Sequence, residues 1–310
     1  MPDARKKIVI VGSVTMDLVT RTPRIPSIGQ TLIGTGFTTT PGGKGANQAV
    51  AAARLGYPVA MVGKVGDDVY GPQLLENLAH AGVDTAAMET TPGSSGLAPM
   101  FVAESGENSI VVVPGANGQL DRAAVDRHAA LIRSAGMVLC QLEIPLDTLA
   151  YTLAFCAEAK VPVMLDPAPA AALPEAAFAQ IAWFTPNESE AAFYLGSAAD
   201  VDESAKRLHA KGLRGVALKR GAEGAYVSVA GEKAAWVAPF PVQAIDTVAA
   251  GDCFNGAFAV ALLEGRETNS DPWAAARFAN AAAAIAVTRH GAQASMPMRA
   301  DVDAFLKKNS

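Results

Sequence analysis

Two short stretches carry most of the chemistry this chain could do. Near the C-terminal end, Asp246-Thr-Val-Ala-Ala-Gly-Asp252 sets two acids around small residues, and apolar helical sequence follows from Phe254. A helix beginning there would aim unbonded N–H groups and the positive end of its dipole outward, which favours an anion. Because Ala249, Ala250 and Gly251 carry no bulky side chains, a phosphoryl group could rest on those amides with Asp252 close to an attacking hydroxyl. A helix N-terminus should depress an aspartate's pKa and weaken it as a base. In phosphoryl transfer this matters little, because the transition state is loose and proton removal is late. Taken alone, Asp252 fits an ordinary helix cap equally well.

The second stretch is Pro41-Gly-Gly-Lys-Gly-Ala-Asn-Gln48. It is not a Walker A loop, since Thr38 stands where that pattern needs glycine and Gly45, not Ser or Thr, follows Lys44. It offers exposed backbone, a cation in Lys44 and an amide in Asn47 leading into a helix. Such a loop suits a polyhydroxylated ligand, because amide and amine groups bond hydroxyls while glycines permit close approach. A tight strand-to-helix turn with a solvated lysine is the plain alternative. Asp17 follows an apolar run ending at Gly12, the carboxyl end of a strand where open α/β sheets bind ligands. A carboxylate there can accept two sugar hydroxyls, or it can be a surface residue in a turn.

Elements that would position these residues are legible in the hydrophobic pattern. Lys7-Ile-Val-Ile-Val-Gly12 reads as a strand buried on both faces, as does Val59-Ala-Met-Val-Gly63. Residues 46–55 are alanine-rich and helical with Gly56 as a stop, and Leu74, Leu75, Leu78 and Val83 recur at helical spacing. The alternation continues with helices at 121–134, 146–159, 187–195 and 201–211 and strands at 137–142, 161–165, 182–185 and 214–219. Repeated β-α-β units predict a mainly parallel sheet covered on both faces. Residues 14–40 and a hairpin at 96–113, turning at 105–108, read as a small strand-rich element projecting from that body. A second hairpin is expected at 225–238, and residues 272–306 read as helical apart from a loop near 289–297.

Composition narrows the class. Of 310 residues half are apolar and 18% charged, so a folded protein of one large or two moderate domains is expected. No apolar run approaches the roughly 18 residues of a membrane span, and the run Ile8–Val11 is too short for a signal-peptide core, so a cytoplasmic protein is expected. Cys140, Cys156 and Cys253 fit reduced thiols. A net charge of -5 gives nucleic-acid binding no support, and four dispersed histidines without Cys-x-x-Cys argue against a zinc site. No Gly-x-Gly-x-x-Gly follows the first strand, which argues against a nicotinamide dehydrogenase.

The pairing of Gly42-Gly-Lys-Gly-Ala-Asn47 with Asp246-Thr-Val-Ala-Ala-Gly-Asp252 resembles the ribokinase-like (PfkB) family of carbohydrate kinases. The likeness spans almost the whole chain, taking in Gln141-Leu-Glu143, Asp166-Pro-Ala-Pro169, Thr185-Pro-Asn-Glu-Ser-Glu190 and Ala281-Ala-Ala-Ala-Ile-Ala-Val-Thr-Arg289. It implies an α/β fold: a three-layer α/β/α sandwich with a mainly parallel central sheet, one catalytic domain over 1–310. A discontinuous β-sheet lid at about 14–42 and 96–114 would be inserted in it. The implied reaction is in-line transfer from ATP to a primary sugar hydroxyl, O5 if the sugar is ribose. Asp252 would be the base, and Ala249, Ala250 and Gly251 the anion hole. Thr15, Asp17, Gly43, Lys44, Asn47 and Glu143 would bind the sugar, with Asp252 touching the same hydroxyl.

On the nucleotide side the resemblance assigns Asn187 to the phosphates, directly or through Mg²⁺ and water. The loop Lys219 to Gly224, with Gly221, Gly224 and Gly251, would line the ATP site, and Asn280 would lie near adenine. A K⁺ site is implied at Asp246, Val248, Ala286, Arg289, Gly291 and Ser295, mostly through backbone carbonyls. The lid would pair with that of a second copy to make a homodimer. The chain departs from the family pattern at Thr15, where several relatives carry Asn, at Lys219-Arg220 in place of Thr-Leu, at Asn280 in place of His, and at Cys253 in place of Thr. Rival acceptors are deoxyribose, another sugar, or a nucleoside, although the lid segments offer only Phe37 and Phe101 to stack a base. A non-catalytic sugar sensor would tolerate loss of the base or anion hole, and both are present.

Overall fold

The structure is a computed structural model that describes residues 5–268 and 271–309, with the side chains of 266–268 left out. In chain order the strands are β1 (Ile8–Val11), β2 (Thr15–Thr22), β3 (Gly36–Gly42), β4 (Val59–Gly66), β5 (Val83–Asp84), β6 (Met88–Thr91), β7 (Gly96–Ala103), β8 (Asn108–Ile110), β9 (Met137–Cys140), β10 (Val163–Leu165), β11 (Trp183–Phe184), β12 (Gly215–Lys219), β13 (Ala225–Val229) and β14 (Ala234–Val237). The helices are α1 (Lys44–Arg54), α2 (Tyr70–His80), α3 (Arg122–Arg127), α4 (Ala129–Ser134), α5 (Leu146–Glu158), α6 (Glu175–Phe178), α7 (Glu188–Leu195), α8 (Val201–Ala210), α9 (Ala250–Thr268), α10 (Pro272–Ala286), α11 (Ala292–Ser295) and α12 (Arg299–Lys308).

The period-2 alternation of β1 explains the layering. All four of its side chains are buried, and they divide between two cores: Ile8 and Ile10 pack with α1, α2, α9, α10 and α12, while Val9 and Val11 pack with α3 to α8. A strand apolar on both faces is stable only between two helical layers. The main sheet runs β14-β13-β12-β11-β10-β9-β1-β4-β5, with β6 also on β4. It is parallel from β12 to β5 and antiparallel at β12-β13-β14. A second sheet, β3-β2-β7-β8, stands apart from it and is built from the two segments that interrupt the β-α rhythm. Its outer residues include Phe37, Phe101 and Ile110, and Ile33 lies exposed in the connection between β2 and β3.

Three expectations shift. The helix expected over 121–134 is two helices, α3 and α4, broken at His128, whose ring turns to within 3.3 Å of Glu89. Val83 belongs to β5 rather than to a helix, because α2 ends at His80 and Gly82, at φ +90, reverses the chain. The expected loop at 289–297 contains the short helix α11. The hairpin at 225–238 is present as β13 and β14. Among the described residues, no helix is long and apolar enough to cross a membrane.

Candidate active site

Successive parallel strands each deliver a polar residue just beyond their carboxyl ends. Ser13 follows β1, Gln141 and Glu143 follow β9, Asp166 follows β10, Asn187 follows β11, and Lys219 closes β12. The carboxyl edge of an open parallel sheet is where ligands bind, because the loops there diverge and helix N-termini point into the gap. Two helices close the gap from the other side: α1 begins at Lys44 and α9 at Ala250.

Asp252 lies in the first turn of α9, 5% exposed. One of its oxygens accepts a hydrogen bond from Asn47 Nδ2 at 2.9 Å, the other from Gln48 Nε2 at 3.0 Å, although these partners stand 205 and 204 residues away. The same Gln48 amide reaches Asp166 Oδ2 at 3.0 Å, and Gln141 Nε2 donates to Gln48 Oε1 at 2.8 Å. Burial raises the Asp252 carboxyl above the usual carboxylate range; Lys44 opposes the shift, Asp166 adds to it, and the two amide donors lower it again. The result is a carboxylate more basic than a surface aspartate, as a proton acceptor requires. The dipole argument from sequence, which expects a depressed value, leaves out this burial.

The turn before α9 differs from expectation in detail. Ala249 holds a φ of +58, the left-handed region that costs a residue other than glycine roughly 1–2 kcal/mol. The Ala250 N–H leans on the Thr247 carbonyl at 3.3 Å. Among the described residues no acceptor meets the N–H groups of Gly251 and Asp252. An anion placed against this turn would meet chiefly those two amides, which the left-handed Ala249 turns outward.

The sugar-side candidates come together around the Gly-rich loop. Gly43 has φ +88, and a methyl group on it would lie 2.8 Å from the Thr15 nitrogen. Gly42 faces Asp17 across β2 and β3, and a methyl there would sit 2.4 Å from Asp17 Oδ2. Glu143 Oε2 accepts from Ser13 Oγ at 2.5 Å and from the Lys44 N–H at 2.9 Å, so it caps the start of α1. Thr15 Oγ1 donates to Asp17 Oδ1 at 3.0 Å. Burial pushes Asp17 up to about 6, with Thr15 pulling it down and Glu143 pushing it further up.

That value makes a prediction. If ionised Asp17 accepts sugar hydroxyls, binding favours the carboxylate and lowers its pKa in the complex. Affinity is then retained above about 6 and lost below it. Between pH 7 and pH 5, sugar affinity should fall by up to about tenfold. Titration calorimetry at the two pH values checks this, and equal affinities would remove Asp17 from the sugar site.

On the other side of Asp252 a cavity of about 690 Å³ opens. All six residues expected to hold the nucleotide, Asn187, Lys219, Gly221, Gly224, Gly251 and Asn280, line it, together with Lys44 and Asp252. Asn280 is tied to the chain, its Nδ2 donating to the carbonyls of Val237 and Ala238 at 3.1 Å. The surrounding wall, with Phe240, Val242 and Val287, is apolar enough to take a flat aromatic base. Arg220 turns away to Glu188 and Glu223, while Lys219 points inward and donates to Asp166 Oδ1 at 2.9 Å.

Sequence reasoning missed Gln48, Asp166 and Glu190 as site residues. Glu190 is 8% exposed, and its carboxylate accepts the Asn187 N–H at 2.8 Å while Asn187 Oδ1 accepts the Glu190 N–H at 2.9 Å, a reciprocal cap of α7. The spacing Asn-x-x-Glu before an apolar helix was the available signal. Burial raises Glu190 above its usual range, Lys219 opposing and Asp166 reinforcing the shift. Asn187, Glu190 and Asp166 thus put hard oxygen donors on the cavity wall, which suits Mg²⁺. Among the described residues no three His, Cys, Asp or Glu side chains form a metal cage. An ion held largely by phosphates and water needs none.

Burial works against the Lys44 ammonium, but Asp252, Asp166, Glu143 and Glu190 outweigh it and hold its pKa above the usual lysine range. Cys253 is buried beside the base and its thiol is pushed up to about 12, so it is a packing residue and no nucleophile.

Of the residues expected around K⁺, Asp246, Val248 and Gly291 are joined directly, while Ala286 ends α10, Arg289 lies in the loop after it and Ser295 closes α11. Asp246 Oδ1 accepts the Val248 N–H at 3.0 Å and Oδ2 accepts the Gly291 N–H at 2.9 Å, which ties the turn before α9 to the loop after α10. The Arg289 N–H donates to the Ala286 carbonyl at 3.0 Å, and Ser295 Oγ donates to the Ala292 carbonyl at 2.8 Å. Carboxylate lone pairs and loop carbonyls are the oxygen chemistry an alkali cation takes.

A mainly parallel α/β sandwich with a buried carboxylate, free helix amides and a nucleotide-sized cavity at the sheet's carboxyl edge defines a phosphotransferase acting on a hydroxyl. Residues 5–299 match the pfkB family of carbohydrate kinases, and the chain belongs to that family. It is 44% identical to the ribokinase of Bacillus subtilis over 97% of this chain and 99% of the relative. It is 36% identical to the deoxyribokinase of Salmonella typhi, over 97% of this chain and 99% of that protein. The structure superposes on that of Arabidopsis thaliana ribokinase complexed with ribose and ATP with a TM-score of 0.92, at 33% identity, covering 98% of this chain and 99% of the other. The chain is a sugar kinase with the ribokinase-like fold.

Proposed function

We propose that the protein is an ATP-dependent ribokinase that phosphorylates D-ribose at O5. The observation that carries the reading is the junction at Asp252, where the Gly-rich loop's helix hands two amide donors to a buried carboxylate at the head of the cavity. Ribose would lie between the Gly-rich loop and the second sheet, with Asp17 and Glu143 accepting hydroxyls and Lys44 and Asn47 donating. Asp252 takes the O5 proton as the O5–phosphorus bond forms. The bond from phosphorus to the ADP oxygen breaks, and its electron pair leaves on ADP. The N–H groups of Gly251 and Asp252 hold the transferring oxygens. Mg²⁺, with Asn187 and Glu190 near it, would neutralise phosphate charge, and K⁺ at the Asp246 cluster would stiffen the anion-hole turn without touching substrate.

The β2-β3-β7-β8 sheet would act as a lid over the sugar, excluding water that competes as acceptor. Its exposed Phe37 and Ile110, with exposed Val111, Val112 and Val113 just after β8, suit pairing with a second copy, and light scattering should report a dimer. The three buried free cysteines fit a reducing compartment such as the cytoplasm.

The experiment is an ATP-consumption screen over ribose, deoxyribose, fructose and nucleosides, in K⁺ and in Na⁺. Ribose should give the highest kcat/KM, and K⁺ should exceed Na⁺. A preference for deoxyribose, which the Salmonella relative's name brings into play, would move the assignment to that sugar, and indifference to the cation would remove K⁺ from the Asp246 cluster.

A further inference from the structure

Lys219 sits where the cavity meets the first turn of α9. Its side chain is 14% exposed and runs into the cavity, unlike that of Arg220 beside it. Its Nζ donates to Asp166 Oδ1 at 2.9 Å. The nearest atom to a methyl group placed on Gly251 would be the same Nζ, 3.4 Å away, so the ammonium lies over the first turn of α9. It thereby faces the positive end of a 19-residue helix, next to the open N–H groups of Gly251 and Asp252, with Lys44 in the same cavity. Asp166, Asp252 and Glu190 line the same cavity and balance the two lysines, while the Lys219 ammonium and the helix amides converge on one spot where both can meet a phosphoryl oxygen.

We propose that Lys219 is a catalytic residue whose ammonium binds the phosphoryl group during transfer, sharing its protons between Asp166 and a phosphoryl oxygen. Asp166 is its positioning partner. The second Asp166 oxygen is held by Gln48 Nε2 at 3.0 Å, and that amide also holds Asp252 at 3.0 Å, so one side chain sets both the cation and the base. Lys219 keeps all its protons; the sugar proton goes to Asp252, and the electron pair of the broken bond leaves on ADP. A fixed cation that meets charge as it spreads over the phosphoryl oxygens stabilises the transition state more than bound ATP.

This assignment rests on the ATP-dependent kinase reading, and its test separates the two. Lys219→Gln keeps a donor for Asp166 but removes the charge. Its kcat should fall about 10²-fold with the sugar KM within about threefold. Its preference for ATP over ADP, measured by calorimetry, should fall about tenfold, since only ATP carries the phosphoryl group that Lys219 meets. Lys219→Arg should recover part of both, and Lys219→Thr repeats the comparison if the Gln variant loses sugar binding. A kcat within twofold of the parent, or ATP and ADP affinities that fall in parallel, would leave Lys219 a brace for Asp166 and overturn the proposal. Should the parent protein phosphorylate no sugar, the kinase reading fails first, and the ATP-to-ADP preference still decides whether Lys219 meets the terminal phosphate.

Discussion

Asp252→Asn is expected to lower kcat by about 10²–10⁴-fold while sugar affinity changes by no more than a few fold. The substitution keeps size but removes the proton acceptor. It also disturbs the donors around it. Asn47 Nδ2 and Gln48 Nε2 each point at a separate Asp252 oxygen, and an amide offers only one acceptor, so one donor must turn away. That rearrangement accounts for the modest change in affinity; the loss of turnover comes from the missing base. The pH profile separates the two. In the parent, the base works only when ionised, so kcat/KM should fall as pH drops through the burial-raised pKa of Asp252. In the variant the part of that limb due to Asp252 should vanish, leaving only the fall through about 6 that Asp17 imposes on sugar affinity. Near-parental turnover would sink the base assignment.

Lys44→Ala should weaken sugar affinity by about ten- to a hundredfold and ATP affinity less. Lys44 is the cation that Asp252, Asp166, Glu143 and Glu190 share, and those four acids hold it charged against burial. Removing one member of such a cluster leaves the remaining buried charges uncompensated, and this costs more than the lost contact itself. The carboxylates respond by holding protons more tightly, so the acid limb of kcat/KM should move to higher pH. Calorimetry with each ligand and a kcat/KM profile read both effects. A larger loss for ATP than for sugar would place Lys44 on the nucleotide side.

The β-α alternation, the antiparallel hairpin at 225–238 and the two segments of the second sheet were legible because strand and helix periods are local. The same holds for Asn187, whose capping partner lies three residues on. The break at His128 and the strand at Val83 were not legible. Both depend on partners distant in sequence, Glu89 for the first and β4 for the second. In the site, the Gly-rich loop and the stretch ending in Asp252 announced themselves by residue type. Gln48 did not, because a glutamine one position after Asn47 looks like helix surface until Asp166 and Asp252 are seen to converge on its amide.

The sequence by itself determined where α9 begins, which small residues precede it, and that an acid stands in its first turn. Those are properties of neighbouring residues. Only the tertiary structure decided what that acid is. Sheet order brings α1 against α9, so that side chains more than 200 residues apart share hydrogen bonds with Asp252. Burial then reverses the pKa shift that the helix dipole alone would give. Desolvation and long-range charge depend on everything packed around a group, and no local pattern encodes them.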